Sequence, residues 1–341
     1  MSEILRRKLS HIEKCISDKE ADRKSSGFDA IRLIHRALPE TDFDSVDTSV
    51  RFLGKKLSFP FMISSITGGS DPEIIRINRN LAMAAEKCGV AMSVGSQRIM
   101  FSDKDAEESF RLREYAPSVP LIGNLGAVQL NYGFGIGECI KAVETMDGDA
   151  LFLHLNPLQE TIQKNGNRNF EDLCGKIRKI RAELPVPLMI KETGCGLSSR
   201  DFALLRDCGI RYIDVSGRGG TSWSRVEYMC SEDADSPGLM FQDWGLTAAE
   251  SLAQAGEYRK DLFLIAGGGI RSGTDIAKAM VLGAEMGAAA LPFLEAAMKS
   301  AEEVVKIIER LHIQFRIAMF LLGAKKVSEL VGNSDLRIKN D

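Results

Sequence analysis

Leu262-Phe263-Leu264-Ile265-Ala266-Gly267-Gly268-Gly269-Ile270-Arg271-Ser272-Gly273 passes from an unbroken apolar run through three glycines, and Thr274 then opens a helical pattern that stops at Gly283. A strand buried on both faces reads as a continuous apolar run. Glycines behind it let the backbone turn sharply and bring its N–H groups close to an anion, and the following helix start adds partial positive charge. Strand, glycine turn and helix together make one βα unit.

The same pattern recurs in both directions. Apolar runs begin near Phe61 (FMISSIT), Val90 (VAMSVG), Leu121 (LIGNLG), Ala150 (ALFLHLN), Leu188 (LMIKETG), Tyr212 (YIDVSG), Leu262 and Met286 (MGAAAL). Their separation is mostly about 30 residues, the length of a βα unit. Helical spacing over 76–87 ends at Gly89, and a shorter stretch over 201–207 ends near Gly209. Eight such units predict an α/β chain folded as a closed (β/α)8 TIM barrel. A doubly wound sheet would carry GxGxxG after its first strand; Thr67-Gly68-Gly69-Ser70-Asp71 does not match. Residues 1–58 are read as an N-terminal extension, with a helix over 4–15 and a hairpin-like piece over 49–59, and residues 59–341 as the barrel. The segment 217–245 is too long for an ordinary βα loop and reads as a functional lid or as a disordered stretch. A last helical stretch, 302–330, closes the barrel.

The 341 residues carry 44 Lys plus Arg against 47 Asp plus Glu, a net charge of −3 that speaks against a nucleic-acid-coating or membrane-coating surface. Seven cysteines without a CxxC point to a reducing compartment, not to disulfides or zinc. No apolar stretch approaches the roughly 18 residues that span a bilayer. A soluble cytoplasmic protein is expected.

Barrel enzymes work at the carboxyl ends of their strands, so the polar residues there are the candidates. Gly267, Gly268 and Gly269 read as a phosphate turn, or more plainly as a tight turn needing positive φ. His154 and Asn156 lie two apart on one strand and face the same way. Gln159 and Glu160 follow, and Glu160 is a hard oxygen donor suited to Mg²⁺ held jointly with substrate phosphates. Lys191 ends an apolar run; a buried cation there must be paired or face an anion, and its neighbour Glu192 points to the opposite face. Arg7 and Lys8 form a short basic cluster, ordinarily just solvated.

These residues, in order, resemble type 2 isopentenyl-diphosphate isomerases. The matching blocks are Arg7-Lys8-x-x-His11, Ile66-Thr67-Gly68-Gly69, Val94-Gly95-Ser96-Gln97-Arg98, Asn124-Leu125-Gly126-Ala127-x-Gln129-Leu130, His154-Leu155-Asn156-x-x-Gln159-Glu160, Lys191-Glu192-x-Gly194, Asp214-Val215-Ser216-Gly217-x-Gly219-Gly220-Thr221-Ser222-Trp223 and Gly267-Gly268-Gly269-Ile270-Arg271. The resemblance implies an FMN-dependent isomerase interconverting isopentenyl and dimethylallyl diphosphate, with the flavin reduced by NADPH and with Mg²⁺ required. It implies FMN contacts at Ser65, Ile66, Thr67, Ser96, Asn124, Lys191, Ser216 and Thr221, with the phosphate between Gly267–Gly269 and the Ala290 and Leu291 backbone. Arg7, Lys8, Ser96, Gln97, Arg98, His154, Asn156 and Gln159 would hold the diphosphate substrate, and Glu160 the metal. Gln159, Glu227 and His154 are the implied catalytic side chains, Glu227 as a proton relay with Gln159. The family assembles as homotetramers or homo-octamers. One departure is Leu246-Thr247-Ala248, where the family usually has Ile-Pro-Thr; it alters a helix start and no catalytic group.

Two other readings compete. An α-hydroxy-acid oxidase needs a histidine just after the sixth strand, where this chain has Gly217-Arg218-Gly219; a dehydrogenase of the inosine-monophosphate type needs a cysteine there, and Cys230 comes too late. A non-catalytic flavin- or phosphate-binding barrel would keep the glycine turns but lose Arg7, Lys8, His154, Gln159 and Glu160.

Overall fold

The computed structural model describes residues 3–23, 25–231, 233 and 235–338. The extension begins with α1 (Glu3–Ser17) and ends in a hairpin, β1 (Val50–Phe52) paired antiparallel with β2 (Lys55–Leu57). Its two-residue turn places both Leu53 and Gly54 at positive φ (49° and 79°), the twist a tight hairpin requires.

The barrel strands are β3 (Phe61–Ile63), β4 (Ala91–Ser93), β5 (Leu121–Gly126), β6 (Ala150–Leu155), β7 (Leu188–Glu192), β8 (Tyr212–Asp214), β9 (Phe263–Ala266) and β10 (Met286–Ala289). They pair in parallel in chain order, and β10 pairs with β3 to close the ring. Around them lie α2 (Pro72–Cys88), α3 (Ile136–Met146), α4 (Pro157–Ile162), α5 (Leu173–Glu183), α6 (Ser199–Asp207), α7 (Trp223–Cys230), α8 (Ala248–Gln254), α9 (Gly273–Val281), α10 (Leu291–Lys299) and α11 (Ala301–Leu322). Local chemistry sets their ends. Asp71 caps α2, Pro72 fills its first position, and Gly89 ends it in the left-handed region at φ 64°.

Three expectations are corrected here. The second unit, between β4 and β5, has no α-helix and uses two 3₁₀ segments, Gln97–Phe101 and Lys104–Phe110. The closing stretch 302–330 is not one helix: α11 ends at Leu322 because Gly323 caps it at φ 70°, and only the turn Val327–Glu329 follows. The stretch 217–245 is not bare loop, since it contains α7.

One apolar cluster lies between barrel and helices. A second fills the barrel itself, with Met62, Ile122, Phe152, Met189, Ile265 and Met286. Phe52 and Leu57 of the hairpin join this inner cluster, and Phe52 stacks on Phe263 at 5.3 Å between ring centres. The hairpin therefore plugs one end of the cylinder, and the carboxyl ends of the strands open at the other.

Candidate active site

The strand register decides which side chains meet. Pairing aligns Gly126 with His154, His154 with Lys191, and Lys191 with Asp214. In-register neighbours of a parallel sheet share a face, so His154, Lys191 and Asp214 form one layer at the mouth. Lys191 Nζ donates to the Glu192 carbonyl oxygen (2.6 Å) and to Ser216 Oγ (3.2 Å), and lies 3.9 Å from Asp214 Oδ2. Its ionic partner is Asp214. The Glu192 carboxylate faces away and accepts the N–H groups of Gly194, Cys195 and Gly196. Ser216 holds φ 33°, an uncommon conformation for a residue with a side chain, and one that recurs at functional sites.

Around the mouth runs a hydrogen-bonded rail. Ser93 Oγ meets Ser65 Oγ at 2.9 Å, Asn124 Nδ2 donates to Ser65 Oγ (3.0 Å), and Asn124 Oδ1 faces His154 Nδ1 at 2.9 Å. With its amide nitrogen committed to Ser65 and Val94, Asn124 presents only an acceptor to the ring. The imidazole therefore carries its hydrogen on Nδ1 and keeps a bare Nε2. Burial, then the charges of Lys191, Lys8 and Arg98, push the His154 pKa down to about 3, so the ring is neutral.

α1 supplies the outer wall. Arg7, Lys8 and His11 line the cavity, and Lys8 Nζ donates to the Ser96 carbonyl oxygen at 3.2 Å. Burial and the adjacent Arg7 lower the Lys8 pKa to about 7. Arg98, from the first 3₁₀ turn, lines the same space and is also lowered by burial. The extension is held down by Arg23, whose guanidinium donates to the carbonyl oxygens of Gly194 (2.6 Å), Thr221 (2.9 Å) and Gly220 (3.2 Å).

The cavity so enclosed measures about 240 Å³. Of the residues expected to act there, Arg7, Lys8, Ser65, Ile66, Thr67, Ser96, Arg98, Asn124, His154, Asn156, Gln159, Glu160, Lys191, Ser216, Thr221, Gly267, Gly268, Gly269, Ala290 and Leu291 all line it. Gln97 does not. It is fully buried behind the wall, donating to the Ala142 carbonyl oxygen (2.8 Å) and accepting from the Asn124 amide N–H (2.9 Å), so it supports the rail and cannot touch a ligand. Glu227 is likewise outside the lining and stands behind Gln159, whose Nε2 donates to it at 2.8 Å. His11 Nε2 lies 3.2 Å from the same carboxylate. Burial opposes the charge of Glu227, but His11, Gln159 and Arg7 hold its pKa below the ordinary carboxylate value.

Sequence reasoning missed Gln163 and Asp214. The Gln163 amide fits with its nitrogen 3.3 Å from Glu227 and its oxygen 3.0 Å from Arg7, linking the basic cluster to the carboxylate. Its position four residues after Gln159 at the end of α4 puts both on one face, a spacing that could have revealed it.

The residues fit a flavin mononucleotide. Gly268 and Gly269 sit at φ 96° and 89°; a Cβ on Gly268 would fall 2.0 Å from the Gly217 carbonyl oxygen, and one on Gly269 2.6 Å from that of Gly219. Only glycine makes this turn, and Ala290 and Leu291, where α10 begins, line the same cavity; Pro292 has no N–H, and that of Phe293 donates to the Ala290 carbonyl oxygen at 3.0 Å. The α9 start does not contribute as expected: Asp275 accepts the N–H groups of Arg271 and Ser272, Gln314 takes that of Gly273, and Asp214 takes that of Gly267. A flavin phosphate would find its place at the Gly268–Gly269 turn and the Ala290–Leu291 backbone, with Lys191 as the cation for the ring and the small Ala288 and Ala289 in the wall between.

For a divalent cation, Glu160 is the available carboxylate. Its oxygens accept from Asn156 Nδ2 (3.2 Å) and the Asn167 N–H (2.5 Å). No group of three or more His, Cys, Asp or Glu able to hold a metal occurs among the described residues. A hard cation at Glu160 would need phosphate oxygens and water to complete its shell. Asn156 Oδ1 is buried with no hydrogen-bond partner, a further acceptor at this spot.

A parallel barrel with a glycine phosphate turn after its seventh strand and a lysine at the ring end defines an FMN-dependent enzyme. The FMN-dependent dehydrogenase family profile matches residues 3–109 and 145–337. Isopentenyl-diphosphate delta-isomerase of Paracoccus zeaxanthinifaciens is 54% identical over 335 residues, covering 97% of this chain and 96% of its own. That of Hydrogenovibrio crunogenus is 50% identical over 337 residues, 98% of each. The chain belongs to the isopentenyl-diphosphate delta-isomerase family, and it is an isomerase. Solved structures of a sulfite-bound flavocytochrome b2 variant (TM-score 0.67, 20% identity, 96% of this chain and 82% of that one) and a mandelate oxidase variant (0.62, 20%, 92% and 89%) share its fold. No helix among the described residues is long and apolar enough to cross a membrane.

Proposed function

We propose that this chain interconverts isopentenyl diphosphate and dimethylallyl diphosphate, with FMN kept reduced by NADPH and with Mg²⁺, which Glu160 would hold and which would offset the charge of the diphosphate. We further infer a homotetramer or homo-octamer acting in the cytoplasm. The observation that carries the reading is the convergence of Arg7, Lys8 and Arg98 on the cavity that also holds Lys191, the glycine turn and the Gln159 amide.

The chain's own residues account for most of what the reaction demands. Moving the double bond requires a proton added at C4 and one removed at C2 of a hydrocarbon without an activating carbonyl. Bound, reduced FMN would supply an electron-rich face and a nitrogen able to exchange a proton. Arg7, Lys8 and Arg98 bind the diphosphate and so anchor the alkene at the mouth of the barrel. His154, neutral with a bare Nε2, offers an acceptor at the mouth and adds no further positive charge beside the developing carbocation. Gln159 is fixed by Glu227 on one side and by Asn156, whose Nδ2 donates to Gln159 Oε1 at 3.1 Å, on the other. Its amide is therefore held in one orientation in the cavity wall. Glu227, held as an anion, serves as the acceptor behind Gln159. α1 covers the mouth and excludes water.

The test is anaerobic turnover of isopentenyl diphosphate by the purified, FMN-loaded protein with NADPH and Mg²⁺. Formation of dimethylallyl diphosphate supports the reading; a yellow protein inert towards this substrate overturns it. Replacing FMN by 5-deaza-FMN without loss of turnover would remove the flavin from proton transfer. The fold likeness to hydroxy-acid oxidases gives no second reading, since the turn after β8 has no histidine to take an α-proton.

A further inference from the structure

We propose that Asp214 is a positioning residue that joins the two ends of the flavin site, setting the charge and placement of Lys191 with one carboxylate oxygen and fixing the phosphate turn with the other. The inference rests on the flavin reading above and assigns a task to a side chain that does not line the cavity.

Asp214 is fully buried at the end of β8, in the rung it shares with Lys191 and His154. Oδ1 accepts the N–H of Ser216 (3.0 Å) and the N–H of Gly267 (2.9 Å), the first residue of the glycine turn. Oδ2 makes no hydrogen bond and faces Lys191 Nζ at 3.9 Å. A buried carboxylate with one oxygen unpaired is costly, and here its compensation is the neighbouring ammonium. Burial pushes the acid upward and Lys191 pulls it back, as such a pair requires. Ser216 closes the circuit, since its N–H binds Asp214 while its Oγ accepts from Lys191. A Cβ on Gly267 would fall 2.3 Å from Asp214 Oδ1 and 2.6 Å from Ser216 Oγ, so the turn is built tightly onto this carboxylate. Phosphate grip and ring-end charge are therefore mechanically linked through one side chain.

The test is a double-mutant cycle on the FMN-loaded protein, read by the flavin midpoint potential and the FMN dissociation constant. Asp214→Asn keeps an oxygen for Ser216 and Gly267 but removes the charge facing Lys191. With the ammonium uncompensated, reduced flavin is favoured over oxidised by about tenfold, a rise of about 30 mV for a two-electron couple. In the Lys191→Gln background the same change shifts the preference by less than about twofold, since its route is gone. Gly267→Ala displaces the carboxylate from the opposite side; it weakens FMN binding and moves the potential only while Lys191 is present. Equal shifts in both backgrounds, or none in either, overturn the proposal. A wild-type protein that binds no FMN instead removes the flavin reading itself.

Discussion

Substrate affinity should depend on pH through Lys8, and the dependence can be sized. Its ammonium is partly buried beside Arg7, and its pKa sits at about 7 instead of the usual 10.5. A bound diphosphate would replace that repulsion by attraction and restore the charged form. Only protonated enzyme then binds well, and that fraction falls from about one half at pH 7 to about 1% at pH 9, so KM should climb by up to about 50-fold across that range. The assay is KM for isopentenyl diphosphate across pH 6 to 9 with the flavin held reduced. Lys8→Arg is the control, because a guanidinium stays charged throughout; its absolute KM will differ, but its slope should be flat. The sign of the accompanying stability change follows from linkage. Between pH 7 and 10.5 the unfolded chain binds the extra proton, so the ligand-free fold gains stability as pH rises through that window. A KM that stays level to pH 9, or a Lys8→Arg variant with the wild-type slope, would refute the reasoning.

Other predictions are as direct. Gly268→Ala must abandon φ 96° or meet the Gly217 carbonyl oxygen, and should weaken FMN binding by about tenfold or more, measured by fluorescence titration. Gly133→Ala, at φ 90° with open space around it, should leave FMN binding unchanged. Gln159→Ala and Glu227→Ala should each lower kcat on the order of 100-fold, and the double variant little more, because the two act as one unit. Phe52→Ala should destabilise the fold by about 3–5 kcal/mol in denaturant unfolding by opening the plugged end of the barrel.

The eight strands were legible because strands buried on both faces declare themselves as unbroken apolar runs, each followed by a turn. The helices between them were less so. Gln97-Arg98-Ile99-Met100 has apolar content but folds as a 3₁₀ turn, since tertiary wall-building around Gln97 overrides local preference. The overrun of the last helix came from reading amphipathic spacing through Gly323 instead of stopping there. For the site, residue type and strand-end position picked out His154, Asn156, Gln159, Glu160 and Lys191, which do line the cavity, but not Ile12, Cys15, Thr193 or Leu294, which line it too. They could not locate partners: Lys191 needed the β7–β8 register to find Asp214, and Gln97 looked like a ligand contact until its amide was seen in the wall. Thr247, standing where the family usually has proline, caps α8 in a box with Glu250, taking the Glu250 N–H at 3.1 Å and giving its own N–H at 2.7 Å. The substitution exchanges one helix-starting device for another.

The hairpin wedged into the base of the barrel has a kinetic corollary. With that end shut by Phe52 and Leu57, the reductant, alkene and product of the proposed reaction would share the opposite end, beside α1. Under that reading electron delivery and isomerisation take turns at one threshold, and an excess of either visitor delays the other.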